Sequence, residues 1–209
     1  MSKDKEFEPF EWRETFRTRS VIGVDEVGRG CLAGPVYASA VLMSPEDVVS
    51  GLTDSKKISE KRREVLSKEI KEQLTYGVGF ATVEEIDEIN ILQASFLAMR
   101  RALDTVRNKV DLVNPIVIVD GHQKIPKLDP FFEQMTLIKG DLRADPVSAA
   151  SIVAKVTRDH LLAELDTEVP HYQFKKNKGY GTKDHREAIQ NFGPSTYHRR
   201  SFAGVREYL

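Results

Sequence analysis

The chain has 209 residues, 40% hydrophobic and 30% charged, and its 31 Lys and Arg against 32 Asp and Glu leave a formal net charge of -1. That length suits one domain with an appendage or two small domains, and the near-zero charge excludes a uniformly basic nucleic-acid binder while leaving room for a locally basic face. A single cysteine, Cys31, excludes an intrachain disulfide, and the longest apolar runs, 36–43 and 116–119, are far shorter than a membrane span, so the expectation is a cytoplasmic protein with no membrane partner and no signal peptide.

Residues 1–20 alternate acids and bases with Phe7, Phe10, Trp12 and Phe16 between them, which reads as an amphipathic extension without chemistry of its own. Short β-type runs follow at 21–24 and 36–43. Apolar residues at helical spacing predict helices over 59–74, behind a Ser start signal, and over 91–110. Between these helices, 76–82 reads as a strand; 115–119 is a buried β run stopping at Asp120-Gly121, and 134–138 is a further strand stopping at Lys139-Gly140-Asp141. A long helix rich in small residues spans 146–165. Alternating strands and helices place the chain in the α/β class, with a mixed sheet of about five strands flanked by helices. The division expected is an extension at 1–20, a catalytic domain at 21–165 and a basic helical cap at 166–209. From Pro170 onward the chain carries a net charge of +5 and seven aromatic residues, a composition that fits either a phosphate-tracking surface or a solvated helical cap.

Three acidic positions share one context, each following a strand-like run beside glycine: Asp25-Glu26, Asp120 and Asp141. In open α/β sheets, ligand sites assemble at strand ends, so these carboxylates can converge, although a single acid there, Asp120-Gly121 taken alone included, reads more simply as a helix cap or turn former. Like charges about 4 Å apart repel by about 1 kcal/mol in bulk water and several at protein-surface dielectric, so a cluster ionises together only around cations. Hard oxygen donors favour Mg²⁺ or Mn²⁺, and two such ions about 3.5 to 4 Å apart clamp a phosphodiester for attack by water. Neighbouring strand residues face opposite ways, so Asp25 and Glu26 are expected to serve one site only where the chain leaves strand geometry, a departure that Gly28 and Gly30 permit. Gly28-Arg29-Gly30 puts bare backbone beside a guanidinium able to hold a phosphate. Lys56 is either a solvated loop residue or a phosphate contact, and the Ser148 to Ser151 run is either close helix packing or a functional helix start.

The run from Val24 to Val36, VDEVGRGCLAGPV, resembles the opening motif of bacterial ribonuclease HII. Four further blocks follow in order: Asp54-Ser55-Lys56-Lys57, Val119-Asp120-Gly121, Lys139-Gly140-Asp141 leading into the run from Ser148 to Asp159, and a tail with Lys178-Gly179-Tyr180-Gly181-Thr182 and His198-Arg199-Arg200-Ser201-Phe202. The resemblance covers the chain from about Val21 to its C-terminus. It implies a ribonuclease H-like fold with a C-terminal helical cap. It also implies a metal-dependent endonuclease that cuts the RNA strand of RNA–DNA hybrids and single ribonucleotides embedded in duplex DNA, leaving 5′-phosphate and 3′-hydroxyl ends; separately, a monomer is expected. By the same likeness, Asp25, Glu26, Asp120 and Asp141 hold two Mn²⁺ or Mg²⁺ ions. Gly28, Arg29 and Gly30 read the ribose 2′-hydroxyl, Tyr180 packs on the adjoining deoxyribose, and Lys56, Ser148 and Ser151 hold backbone phosphates. The family commonly has His where this chain has Asn177. The rival readings are a DNA-specific metal phosphoesterase and a hybrid-binding module without catalysis.

Overall fold

The computed structural model describes residues 7–53, 55 and 58–209. Five strands, β1 (Val21–Val27), β2 (Val36–Met43), β3 (Tyr76–Ala81), β4 (Ile116–Asp120) and β5 (Glu133–Leu137), form one sheet in the order β3-β2-β1-β4-β5. β1, β2 and β3 are an antiparallel meander, whereas β4 and β5 run parallel to β1. The mixed sheet expected from the sequence is therefore present.

Alternating side chains of the central strands feed two cores. Ile22, Val24, Val117 and Val119 pack with Ala94, Ala98, Met99 and Leu103 of α3 (Val83–Arg107) on one face. Val21, Ile116 and Ile118 pack on the other with Leu66 and Ile70 of α2 (Glu60–Gln73) and with Val147, Ala150 and Val153 of α5 (Asp145–Glu168). Each buried aliphatic side chain contributes roughly 1.5–3 kcal/mol, so this double-sided burial fixes the strand register.

The extension is less detached than its composition suggests. Within α1 (Trp12–Thr15), Trp12 is buried in the α5-side core, and Arg13 pairs with Asp145 at 2.5 Å while donating to the Pro45 and Asp47 carbonyls. The helix expected from residue 91 begins instead at Val83. A capping box between Thr82 and Glu85 starts a first segment, Asn90 breaks it at φ 66°, and the Asn90 side chain accepts from Leu92 and Gln93 to start the second. The Ile91 start thus marks the second segment only.

A third cluster joins Leu162 of α5 to Leu32 and Ala33 of the β1–β2 loop. Its other members come from the C-terminal region, including Tyr172, Phe174 of α6 (Phe174–Asn177) and Ile189 of α7 (Lys183–Phe192). α5 runs unbroken across residue 165 into this cluster, so it is shared between body and cap.

Gly23 sets how closely α5 lies on β1. A Cβ there would stand 2.1 Å from the Pro146 carbonyl carbon and 2.3 Å from the Val147 nitrogen, both backbone atoms that cannot swing aside. Gly23→Ala is expected to lower stability by roughly 1–3 kcal/mol through overpacking, read as a lower urea midpoint. An unchanged midpoint would show that α5 can back away freely.

Candidate active site

β1 and β4 pair only as far as Val24 opposite Val119, so Asp25 and Asp120 follow side by side where the parallel ladder opens. Beyond β5 a left-handed residue at Lys139 turns the chain into α4 (Gly140–Arg143), which carries Asp141. Three segments distant in sequence thus deliver acids to one end of the sheet, the position where ligand sites of α/β sheets assemble.

Asp25 and Glu26 do not leave strand geometry, contrary to the expectation. β1 stays in register with β2 through Val27 opposite Tyr37. The pleat sends Asp25 toward α5, where Ser151 hydrogen-bonds to it, and Glu26 into a cleft lined by Ser95, Phe96, Met99 and Asp120. The acids meet around the open end of the strand pair, from both faces.

Their electrostatics follow from this crowding. Burial pushes the Asp25 carboxyl well above the ordinary carboxylate range, and Glu26, Asp120 and Asp141 push the same way against the Ser151 hydroxyl. Burial raises Glu26 as well, opposed by Arg29, whose Nη1 lies 3.4 Å from Oε1, and reinforced by Asp120. Backbone amides hold two of the acids: Glu26 N–H donates to Asp25 Oδ1 at 2.7 Å, and Gly140 N–H to Asp120 Oδ1 at 2.8 Å.

Ser148 and Ser151 are buried. The Ser148 hydroxyl donates to the Asp141 carbonyl at 2.6 Å, and the Ser151 hydroxyl lies 3.0 Å from that of Ser55. Both serines brace acid-bearing segments. Lys56 lies outside the described residues.

Beside the acids, the Gly28-Arg29-Gly30 loop is held by two arginines with no exposed surface. Arg199 donates to the carbonyls of Gly28, Arg29 and Gly34, and Arg158 to those of Ala33, Pro35 and Lys178. Gly28 adopts φ 95°, and a Cβ there would stand 2.3 Å from Arg158 Nε. Gly30 differs: a Cβ would meet nothing within 4 Å, so packing inside the protein does not require glycine.

Tyr180 lies across this loop, its ring partly exposed and its backbone bridged to Cys31. Asn177 is buried and braces the same turn, donating to the Tyr172 carbonyl at 2.6 Å and accepting from Gly179 N–H at 2.8 Å.

Arg158, Arg199, His185 and His198 received no role from sequence reasoning. Among the tail's cations Arg199 is wholly buried, while Lys176, Lys178, Lys183 and Arg206 lie within 4 Å of acids, so the basic surface is smaller than the composition suggests. For Arg158, His198 and Arg199 the available signal is their place inside the Ser148 to Asp159 run and the His198 to Phe202 block; His185 lies outside every block.

A model of ribonuclease HII matches residues 22–205. The chain belongs to the ribonuclease HII family. The ribonuclease HII of Syntrophotalea carbinolica is 48% identical over 192 residues, covering 91% of this chain and 88% of that protein. That of Aliivibrio fischeri is 46% identical over 209 residues, covering 100% and 97%. The structure of a PCNA:RNase HII complex from Archaeoglobus fulgidus aligns with a TM-score of 0.72 at 26% identity, over 88% of this chain and 95% of that one. A Bst-RNase HIII solved in complex with Mn²⁺ aligns with a TM-score of 0.76 at 18% identity over 95% and 71%, a likeness of fold. This membership makes the chain an enzyme of a metal-dependent endoribonuclease family with ribonuclease H activity.

The donor set fits divalent ions. Four carboxylates are hard oxygen ligands, and the buried Asp25 suffers a repulsion that positive charge relieves. Among the described residues, no three His, Cys, Asp or Glu side chains are gathered closely enough to ligate one ion.

A carboxyl raised by folding binds protons more readily in the folded chain, so stability is lost as pH rises from its unfolded value, 3.8 for Asp25, through the folded one. Asp25→Asn is therefore expected to raise the thermal midpoint of ion-free protein at pH 7 by ~2–4 °C, with the gain gone below pH 3.8. A lower midpoint at pH 7 would contradict this.

Proposed function

We propose that this chain cuts the RNA strand of RNA–DNA hybrids and cleaves duplex DNA at single embedded ribonucleotides, leaving 5′-phosphate and 3′-hydroxyl ends. The observation that carries this reading is the convergence of Asp25, Glu26, Asp120 and Asp141 at the open ends of β1 and β4, next to an exposed Gly30 backbone.

In this reading the four acids hold two divalent ions, Mn²⁺ or Mg²⁺. Bound there, the ions supply the positive charge that favours in-line attack of water on the phosphodiester and departure of the 3′-oxygen. The chain's own groups do the rest. Backbone amides on Asp25 and Asp120 restrain those carboxylates at the open ends of β1 and β4, which limits the reorganisation left for the reaction. Ser148 holds the Asp141 segment from behind, and Ser151 supports the Asp25 carboxylate. Lys56 contacts a backbone phosphate.

Specificity is assigned to the loop and the turn facing it. The Gly28 and Gly30 backbone approaches the ribose closely, and Arg29, whose side chain is about half exposed, holds the adjoining phosphate. The 2′-hydroxyl is the group that separates RNA from DNA at one nucleotide, and a peptide backbone brought against it reads it by hydrogen bonding. Tyr180 packs on the next deoxyribose. Residues 21–165 supply the acids, and 166–209 form the cap that presents Tyr180; the protein works as a monomer on nucleic acid.

The decisive assay uses a duplex with one embedded ribonucleotide, with Mg²⁺ and Mn²⁺ compared and EDTA as control. Asp120→Asn is expected to reduce cleavage by ~10³-fold or more while duplex affinity changes little. Retained cleavage, or cutting of DNA without a ribonucleotide, would remove this reading. Tyr180→Ala is expected to slow cutting at the isolated ribonucleotide by ~10-fold; a wild-type rate would take Tyr180 out of substrate recognition.

A further inference from the structure

Beneath Tyr180 lie two histidines with no exposed surface, His185 of α7 and His198 of the C-terminal loop, with Nε2 atoms 2.9 Å apart. Each end of this pair is tied to backbone. Ser195 N–H donates to His198 Nδ1 at 3.0 Å, the Ser195 hydroxyl, which can donate or accept, lies 2.9 Å from the same nitrogen, and His185 Nδ1 lies 2.8 Å from the Tyr180 carbonyl. A backbone N–H only donates and a carbonyl only accepts, so one arrangement of protons satisfies both backbone links and the bond between the rings, with the Ser195 hydroxyl free to donate to His198 Nδ1 as well. His198 accepts at Nδ1 and carries its proton on Nε2, which donates to His185 Nε2; His185 then carries its proton on Nδ1 and donates it to Tyr180 C=O. A second proton on either ring would set N–H against N–H or N–H against the Ser195 amide.

The surroundings agree with two neutral rings. Tyr172 lies 4.6 Å from the His198 ring and Phe174 5.5 Å from both. Burial lowers both histidines, His198 to about 3 with help from His185 and His171; Arg186 acts the same way on His185, and the hydrogen bonds to the Tyr180 and Ser195 backbone oppose these effects without cancelling them.

The pair also stands where the two recognition elements meet. Tyr180 is bridged to Cys31, Ala33 is bridged to His198, and the next residue, Arg199, donates to Gly28, Arg29 and Gly34. One strand of chain, His198-Arg199, therefore supports the Tyr180 turn through His185 and the glycine loop through its guanidinium.

We propose that His185 and His198 are positioning residues which fix the Tyr180 carbonyl, and with it the ring, at a set distance from the Gly28–Gly30 loop, and so govern discrimination in favour of an isolated ribonucleotide. The inference rests on the reading of Tyr180 as a substrate contact. The pair touches neither the acids nor the reacting phosphate; it acts through Tyr180.

Two amide substitutions separate this role from simple packing. In His185→Asn the side-chain N–H₂ falls near the Nδ1 position and can still donate to Tyr180 C=O. In His185→Gln the amide reaches toward the Nε2 position and leaves the carbonyl without its donor. Steady-state kinetics on a single-ribonucleotide duplex and on a long uniform hybrid, well below each variant's thermal midpoint, give the ratio of kcat/KM between substrates. His185→Gln is expected to lower that ratio by ~10-fold, chiefly through KM, whereas His185→Asn stays within about threefold of wild type. In a Tyr180→Ala background His185→Gln is expected to add no further loss.

Equal ratios for the two variants, or ratios that simply follow thermal stability, would overturn the positioning role. If Tyr180→Ala alone leaves the ratio unchanged, the reading of Tyr180 fails; if it lowers the ratio while His185→Gln does not, only the present inference fails. Should either position 185 variant not fold, His198→Gln against His198→Leu poses the same question one link further back. Gln still offers an N–H to His185 and is expected to keep the ratio; Leu removes it, and an unchanged ratio in the Leu variant would overturn the proposal.

Discussion

The structure depends on a repulsion that it does not relieve by itself. Asp25, Glu26, Asp120 and Asp141 arrive on three segments at one end of the sheet, and burial together with mutual charge raises Asp25 and Glu26 above their ordinary range. A protein optimised for stability alone would not keep such a set, because each unit of pKa displacement corresponds to about 1.4 kcal/mol of differential interaction. Positive charge brought to these acids would relieve the conflict, which suits a family whose chemistry is metal-dependent.

Everything around the acids opposes their separation. The α3-side and α5-side cores fix β1 and β4 in register, and Gly23 lets α5 approach until Ser148 and Ser151 reach the acid-bearing segments. Peptide N–H groups hold Asp25 and Asp120 in place. Beside the acids, Arg158 and Arg199 direct their guanidinium groups to backbone carbonyls in and around the glycine loop. A buried cation bonded to carbonyls is costly to remove, since several acceptors lose their donors together, so this loop is stiffer than its glycines alone suggest.

Much of this was legible in the sequence, for identifiable reasons. The short apolar runs of β1 and β4 and the glycines after them mark both the strands and the acids at their ends. The first segment of α3 was missed because its start lies in a Thr82 and Glu85 capping box and its end in a side-chain cap by Asn90, both short-range polar signals that apolar periodicity does not register. Strand alternation by itself separates Asp25 from Glu26, whereas an opening between two parallel strands lets opposite faces share one site. Arg158, Arg199, His185 and His198 were invisible as interior groups: composition counts charge, and burial of a charged or titratable side chain is decided by carbonyls and rings that only the folded chain assembles.

The most direct test of the account is a thermal-unfolding titration with Mn²⁺ and Mg²⁺ of the wild-type chain beside Asp120→Asn. Ions that relieve the crowding of the four acids bind the folded state, so the wild-type midpoint is predicted to rise with ion concentration and the variant's to rise far less. A wild-type midpoint indifferent to both ions, or an equal rise in the two proteins, would contradict the claim that these carboxylates form one cation-dependent site.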